Sequence, residues 1–222
     1  PNSGNITVET ISQALTPQTK AIICVHHSGW PCDMDGIMEL ANLHKIKVIE
    51  DCAQAHGALY KGKSVGTIGH IGAWSFCQDK IMTTGGEGGM VTTNDESLWR
   101  AMWAYKDHGK SYEAVYERNH PPGFRWLHES FGTNWRMLEI QAVIGRIQLR
   151  RMSHWTAKRL ENAQILSNSL SRYVASGLIK SPDFKCNSDC KVSDKRTCTQ
   201  SKHGCRHAYY KYYVYLNPDK LS

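Results

Sequence analysis

The 222-residue chain has no apolar run near the ~18 residues that a membrane helix requires. Its longest apolar stretches, such as Ala21 to Val25, are the length of a strand, so no membrane partner is expected. The N-terminus, Pro1-Asn2-Ser3-Gly4, has neither a basic segment nor an apolar core, and no signal peptide is expected. An initiator methionine is also lacking, and upstream chain is expected to be missing. Neither a Walker A pattern nor G-x-G-x-x-G occurs, which leaves nucleotide binding by those routes unsupported. No internal repeat is present, and none of the cysteines forms a C-x2-C pair. With 41% hydrophobic and 21% charged residues, the chain is too apolar to be disordered.

What is present is a basic excess, 27 Lys and Arg against 20 Asp and Glu, giving +7. A basic balance suits nucleic acid or a phosphorylated small ligand. The excess is spread over Arg146, Arg150, Arg151, Lys158 and Arg159, and over a C-terminal group from Lys180 to Arg206. No nucleic-acid motif accompanies either group, so both read as solvated faces and no nucleic-acid partner is expected.

The eight cysteines divide into two sets. Cys24, Cys32, Cys52 and Cys77 lie in or beside strand-like segments and read as buried free thiols. Cys186, Cys190, Cys198 and Cys205 crowd into twenty residues. With His203 and His207 they offer enough ligands for zinc, but the spacing lacks paired knuckles. The expectation is therefore no metal, and a mobile polar insertion over 184–206. Disulfide scaffolds belong mostly to smaller secreted domains, so a reduced, cytoplasmic chain is expected.

Strand and helix patterns alternate in the first half. Lys20 to His26, Lys47 to Asp51, Ile71 to Phe76 and Gly89 to Thr93 read as strands. Asp33 to His44 has helical period, and Asp95 opens a helix to about Lys106. This alternation predicts an α/β fold, a mostly parallel sheet flanked by helices. Trp135 to about Tyr173 reads as one long helix or two broken ones, with Leu138, Val143, Ile147 and others forming an apolar stripe. Leu178 to Lys180 reads as a short strand, and Ala208 to Leu216 as aromatic and β-prone. The division expected is a large domain over 1–150 and a linking helix with a partial, smaller α+β domain over 151–222.

Glycines cluster in Thr83 to Gly89 (TTGGEGG), where they permit close backbone approach or simply a tight loop between strands. The informative feature is a combination. Glu50-Asp51 ends a strand, Gln54, His56 and Gly57 follow, and Lys80 comes 29 residues after Asp51, just before the glycines. An acid at the carboxyl end of a parallel strand points into the crevice where α/β sheets bind ligands. Pyridoxal phosphate chemistry uses such a set. A lysine binds the cofactor covalently, and a carboxylate keeps the pyridine nitrogen protonated.

The segments TKAIICVHHSGWPCDMDGI, VIEDCAQAHGA, VGTIGHIGAWSFCQDKIMTTGGEGGMVTTND, YKDHG and GTNWRMLEIQAVIGRIQL together resemble the DegT/DnrJ family of sugar aminotransferases. The resemblance implies a fold-type-I enzyme that uses pyridoxal 5'-phosphate. It implies amino transfer, with glutamate as donor, to a nucleotide-linked keto-sugar in amino-sugar biosynthesis; the basic surface is consistent with a diphosphate. By position, Lys80 is the Schiff-base lysine and proton shuttle, and Asp51 pairs with the pyridinium nitrogen. Gln54 lies against a face of the ring or its hydroxyl, Ser75 binds the cofactor phosphate, and Asn134 reaches the phosphate of the neighbouring subunit's cofactor, which implies a homodimer. His108 is a candidate for substrate contact. Bland alternatives stand beside these roles: Asp51 as a turn cap, Ser75 as a satisfied strand hydroxyl, Asn134 as an N-cap for the long helix. Dehydratase relatives carry His in place of the lysine, so Lys80 favours transamination over that alternative. The family's chains are longer, and its Gly-Thr phosphate loop and ring-stacking aromatic have no counterpart after Pro1. A truncated, non-catalytic homologue is the remaining alternative.

Overall fold

The computed structural model describes residues 3–182 and 204–220. Helix α1 (Val8–Ala14) leads into strand β1 (Ala21–Val25), and α2 (Met34–His44) into β2 (Lys47–Asp51). A small hairpin, β3 (Leu59–Tyr60) and β4 (Lys63–Ser64), precedes β5 (Ile71–Ser75) and β6 (Gly89–Thr92). Then come α3 (Glu96–Lys106), α4 (Tyr112–Tyr116), the long α5 (Glu139–Ala175), β7 (Ile179–Lys180) and β8 (Tyr215–Leu216).

The main sheet has the order β1-β2-β5-β6. The first three strands are parallel and β6 returns antiparallel to β5, so the sheet is mostly parallel, as the strand–helix alternation predicts. Register sets the chemistry of its faces. Val25 pairs with Asp51, and Asp51 with Ala73. Side chains alternate along a strand, so Asp51, Ala73 and Ser75 share one face, while Glu50 points to the other. That second face carries the core: Ile22, Cys24 and Val48 are buried in one cluster with Met34, Ile37 and Ala41 of α2, and Glu50 on the same face is fully buried too. Cys24, Cys32 and Cys52 are buried thiols as expected, whereas Cys77 is only half-buried.

The expected start of the long helix is corrected. The long helix starts at Glu139, with Leu138 as its N-cap, not at Trp135. The backbone before it is engaged elsewhere: Thr133 N–H donates to Tyr105 O at 2.7 Å, and Trp135 N–H to Lys106 O at 2.9 Å. Those bonds hold 133–135 extended against the end of α3, and Asn134 is not the helix cap. The helix then runs 37 residues unbroken, through residue 150.

In the aromatic segment 208–216, only Tyr215–Leu216 pairs as a strand. Ala208 N–H donates to Gly29 O and Tyr210 N–H to Ser28 O, so 208–210 is laced onto the turn after β1 instead of a sheet edge. Residues 184–203 of the expected insertion lie outside the described residues. Its final residues are a fixed part of the fold. Cys205 is buried in the main core and accepts the Lys61 N–H at 3.3 Å, and Arg206 exchanges two backbone hydrogen bonds with Leu59. Among the described residues no helix is long and apolar enough to cross a membrane.

Candidate functional site

The carboxyl ends of β1, β2 and β5 lie side by side. His26 N–H donates to Asp51 O at 3.1 Å, and Cys52 N–H donates to Ala73 O at 2.8 Å. Three of the predicted residues stand at this edge. Asp51 closes β2 half-buried, and its Oδ1 accepts the Ala53 N–H at 3.0 Å. Ser75 closes β5, and its Oγ accepts the Cys77 N–H at 3.4 Å. Gln54 follows Asp51, and its Oε1 accepts the Ser28 N–H at 2.7 Å. This last contact needs a sharp turn at the end of β1. Gly29 has φ +100°, and a Cβ there would lie 2.9 Å from both the Gln54 carbonyl oxygen and the Ala208 Cβ. Glycine is what lets three chain segments meet there.

Lys80 sits in the short turn after β5, where its N–H donates to Cys77 O at 3.1 Å. Its side chain is 16% exposed, and Nζ lies 3.3 Å from Asp79 Oδ1. Burial pushes its pKa down, but the Asp79 carboxylate outweighs that and the net shift is upward. The glycine loop behind it is a strand connection tied to α5: Gln148 Oε1 accepts the Thr83 N–H, and Gln141 Nε2 donates to Glu87 O.

Asn134 and His108 form a second group. Asn134 bridges to Asp107 at the end of α3, its Oδ1 accepts from Arg136 Nε at 3.1 Å, and its side chain is exposed. His108 has φ 60° and lies 3.5 Å from Arg136 Nη2. Asp107, held below the usual carboxylate range, is faced by Lys106, Lys110 and Arg136; burial opposes that lowering and Lys110 leads it. Among the described residues this group makes no hydrogen bond or ion pair with Asp51, Gln54, Ser75 or Lys80.

Beneath the edge lies a network that motif reading did not reveal. Glu50 is fully buried, yet its carboxylate accepts four hydrogen bonds. His26 Nε2 and Gly66 N–H donate to Oε2 at 3.0 and 2.7 Å, and Ile68 and Gly69 N–H donate to Oε1 at 2.8 and 2.6 Å. His26 Nδ1 accepts the Cys32 N–H at 3.0 Å, which fixes the proton on Nε2. Burial pushes the Glu50 pKa up, but these donors win and hold it below the ordinary value. His26, Glu50 and Cys52 bring possible metal ligands within 4.8 Å of one another, but the donors to Glu50 already satisfy the carboxylate. His56 is also buried, packed against Trp74 and Phe76; burial lowers its pKa to about 4, so it is neutral. The Ser75 backbone lies near its ring, but neither ring nitrogen reaches hydrogen-bonding geometry.

The only sequence signal for the Glu50 network is the alternation of β2, which puts Glu50 in the core and Asp51 at the open edge. Nothing local pointed to Asp79 or Tyr210 as neighbours of Lys80.

The chain is similar to proteins of known sequence and structure. The chain is 42% identical over 169 residues to GDP-perosamine synthase of Escherichia coli O157:H7, which covers 76% of this chain and 43% of that protein. The solved aminotransferase from Psychrobacter cryohalolentis is 63% identical with a TM-score of 0.90, covering 100% of this chain and 53% of that one. The Bacillus subtilis protein ntda, solved with bound cofactor PMP, is 26% identical with a TM-score of 0.77, covering 99% of this chain and 43% of that one. The chain thus spans about half the length of the relatives it matches. The profile of the DegT/DnrJ/EryC1/StrS aminotransferase family matches residues 1–192, and the chain belongs to that family.

Proposed function

We propose that this chain forms the cofactor-holding part of a pyridoxal-phosphate aminotransferase that moves an amino group from glutamate to a nucleotide-linked keto-sugar. The observation that carries the reading is the juxtaposition of Asp51 and Ser75 on one face of the sheet edge, with Lys80 in the turn just beyond. The donor set fits the cofactor: an amine, a carboxylate, a hydroxyl and an amide. Asp51 keeps capacity for a ring nitrogen, since among the described residues its carboxylate accepts only the Ala53 N–H. When bound, pyridoxal phosphate supplies an electron sink for breaking bonds at the amine-bearing carbon.

The chain's own residues would do the rest. Lys80 would hold the cofactor covalently and move a proton with its Nζ. The Asp51 charge would keep the ring nitrogen protonated. The Ser75 hydroxyl would donate to the phosphate, and Gln54, pinned by Ser28, would lie against the ring. The sugar-nucleotide reading draws on the family and on the name of the Escherichia coli relative. His108, beside Arg136, would meet substrate.

Among the described residues Asn134 makes no hydrogen bond to this edge, and its side chain is exposed, which suits a role in a second subunit's site. Phe124, Trp126, Phe131, Trp135 and Ile140 are exposed by 68–98% on the segment around it. An apolar surface of that kind suits burial in a homodimer.

The test is reduction with borohydride in the presence of pyridoxal phosphate, followed by peptide mapping. The label is expected on Lys80. A label on another lysine would sink the assignment.

A further inference from the structure

Three donors converge on the Asp79 carboxylate. The Cys77 thiol donates to Oδ1 at 2.8 Å, Lys80 Nζ lies 3.3 Å from the same oxygen, and the Tyr210 hydroxyl donates to Oδ2 at 2.5 Å. The Lys80 ammonium also lies 5.3 Å from the centre of the Tyr210 ring. Two parts of the chain that are 131 positions apart therefore meet at the site lysine. Neither partner is placed by chance rotamer alone. Asp79 sits in the turn closed by the Lys80 N–H to Cys77 O bond. Tyr210 is held by its N–H to Ser28 O, and the neighbouring Tyr209 carbonyl accepts from Arg159 Nη1 at 3.0 Å.

We propose that Tyr210 is a positioning residue for Lys80: through Asp79 and its own ring face it docks the ammonium in a resting place that the amine must leave before it binds a carbonyl carbon. The functional consequence rests on Lys80 being the cofactor-holding lysine; the docking itself does not. An ammonium has no lone pair, so the docked form is unreactive, and release is coupled to loss of a proton. Among the described residues, the charged and titratable groups facing this spot are Asp79, Cys77, Tyr210, Lys211, Arg159 and His56. Lys211 Nζ lies 5.7 Å from the centre of the Tyr210 ring, and His56 is neutral. Lys211 and Arg159 both work against a second cation, so Asp79 is the group that tips the balance toward it. Tyr210 raises the effect of Asp79 by fixing its free oxygen, and adds attraction from its ring face.

The test uses the protein without cofactor, acetylated competitively with trace acetic anhydride across a range of pH, with peptides read by mass spectrometry. Exposed Lys63 serves as the reference in the same sample. Asp79→Asn is expected to move the pH–reactivity curve of Lys80 to lower pH and raise its reactivity at pH 8 about two- to fivefold, the range for an exposed ion pair. Tyr210→Phe keeps the ring and removes only the hydroxyl; it should move the curve the same way by less. Lys63 should be unchanged in both. A purely structural loss would alter exposure and not the midpoint. Asp79→Glu retains the carboxylate and should restore the original curve. If Asp79→Asn moves the curve and Tyr210→Phe does not, Tyr210 has no part; if neither does, the docking is wrong. Tyr210→His replaces Tyr210→Phe should that variant not fold. The borohydride map fails separately: a label away from Lys80 removes the cofactor reading and leaves the docking to stand on these curves.

Discussion

Substituting Glu50 by Gln changes one oxygen to an amide nitrogen and almost nothing else in shape. The structure says that this small change should be severe. Each carboxylate oxygen accepts from two donors: His26 Nε2 and Gly66 N–H on one, Ile68 and Gly69 N–H on the other. Whichever way the amide turns, its NH2 faces two donors. His26 cannot adapt by moving its proton, because Nδ1 already accepts the Cys32 N–H. Two charge-assisted hydrogen bonds, each ~1.5–3 kcal/mol, are lost inside the core, so a loss of ~3–6 kcal/mol is expected. Against a typical ~5–15 kcal/mol of total stability, that is a large share. Urea unfolding followed by circular dichroism measures it. With a slope of ~3 kcal/mol per molar urea, the midpoint should fall by ~1 M or more. The pH dependence gives a second reading. The folded pKa of Glu50 lies below its ordinary value near 4.5, so the carboxylate's contribution is complete above the unfolded value and is lost as pH falls through the folded one. The gap between the original chain and Glu50→Gln should therefore be full near neutrality and narrow below pH ~4.5. A midpoint shift under ~0.3 M at neutral pH, or a gap that does not change with acid, would refute the reasoning.

Two further predictions concern the second group of residues. Gly109 has φ +74°, and a Cβ there would land on the Ser130 carbonyl, so Gly109→Ala should destabilise by ~1–3 kcal/mol and lower Tm by ~2 °C or more; an unchanged thermal transition would mean that the turn around His108 rebuilds freely. If Asn134 serves a neighbouring subunit, mixing a Lys80→Ala subunit with an Asn134→Ala subunit should restore one intact site per heterodimer, and verified heterodimers without recovered activity would remove the shared site.

The strands that build the site edge were legible because their signals are local. Lys47 to Asp51 and Ile71 to Ser75 are short apolar runs between turns, and period-2 alternation alone assigns Glu50 and Asp51 to opposite faces. The start of α5 was not legible. Trp135 has the right spacing for the helix stripe, but its N–H is taken by Lys106 O, a bond to a residue far back in the chain. The aromatic run after Ala208 misled for a related reason. β-propensity describes fit to a half-buried pleated surface, and here the surface that received it was the turn at Ser28 and Gly29. The candidate residues Asp51, Gln54, Ser75 and Lys80 could be named from motif order. The company that Lys80 keeps could not, because Tyr210 carries no motif and reaches Asp79 only through the tertiary fold.

The meeting of Asp79 with a tyrosine 131 positions later has a consequence for the chain as it is made. At ~5–20 residues per second, ribosomal synthesis puts Lys80 into existence roughly 7–26 s before Tyr210. Through that interval the amine has Asp79 beside it and no ring to lie against. A cofactor aldehyde that meets the nascent chain meets a lysine secured by one neighbour, whereas after completion it meets one secured by two.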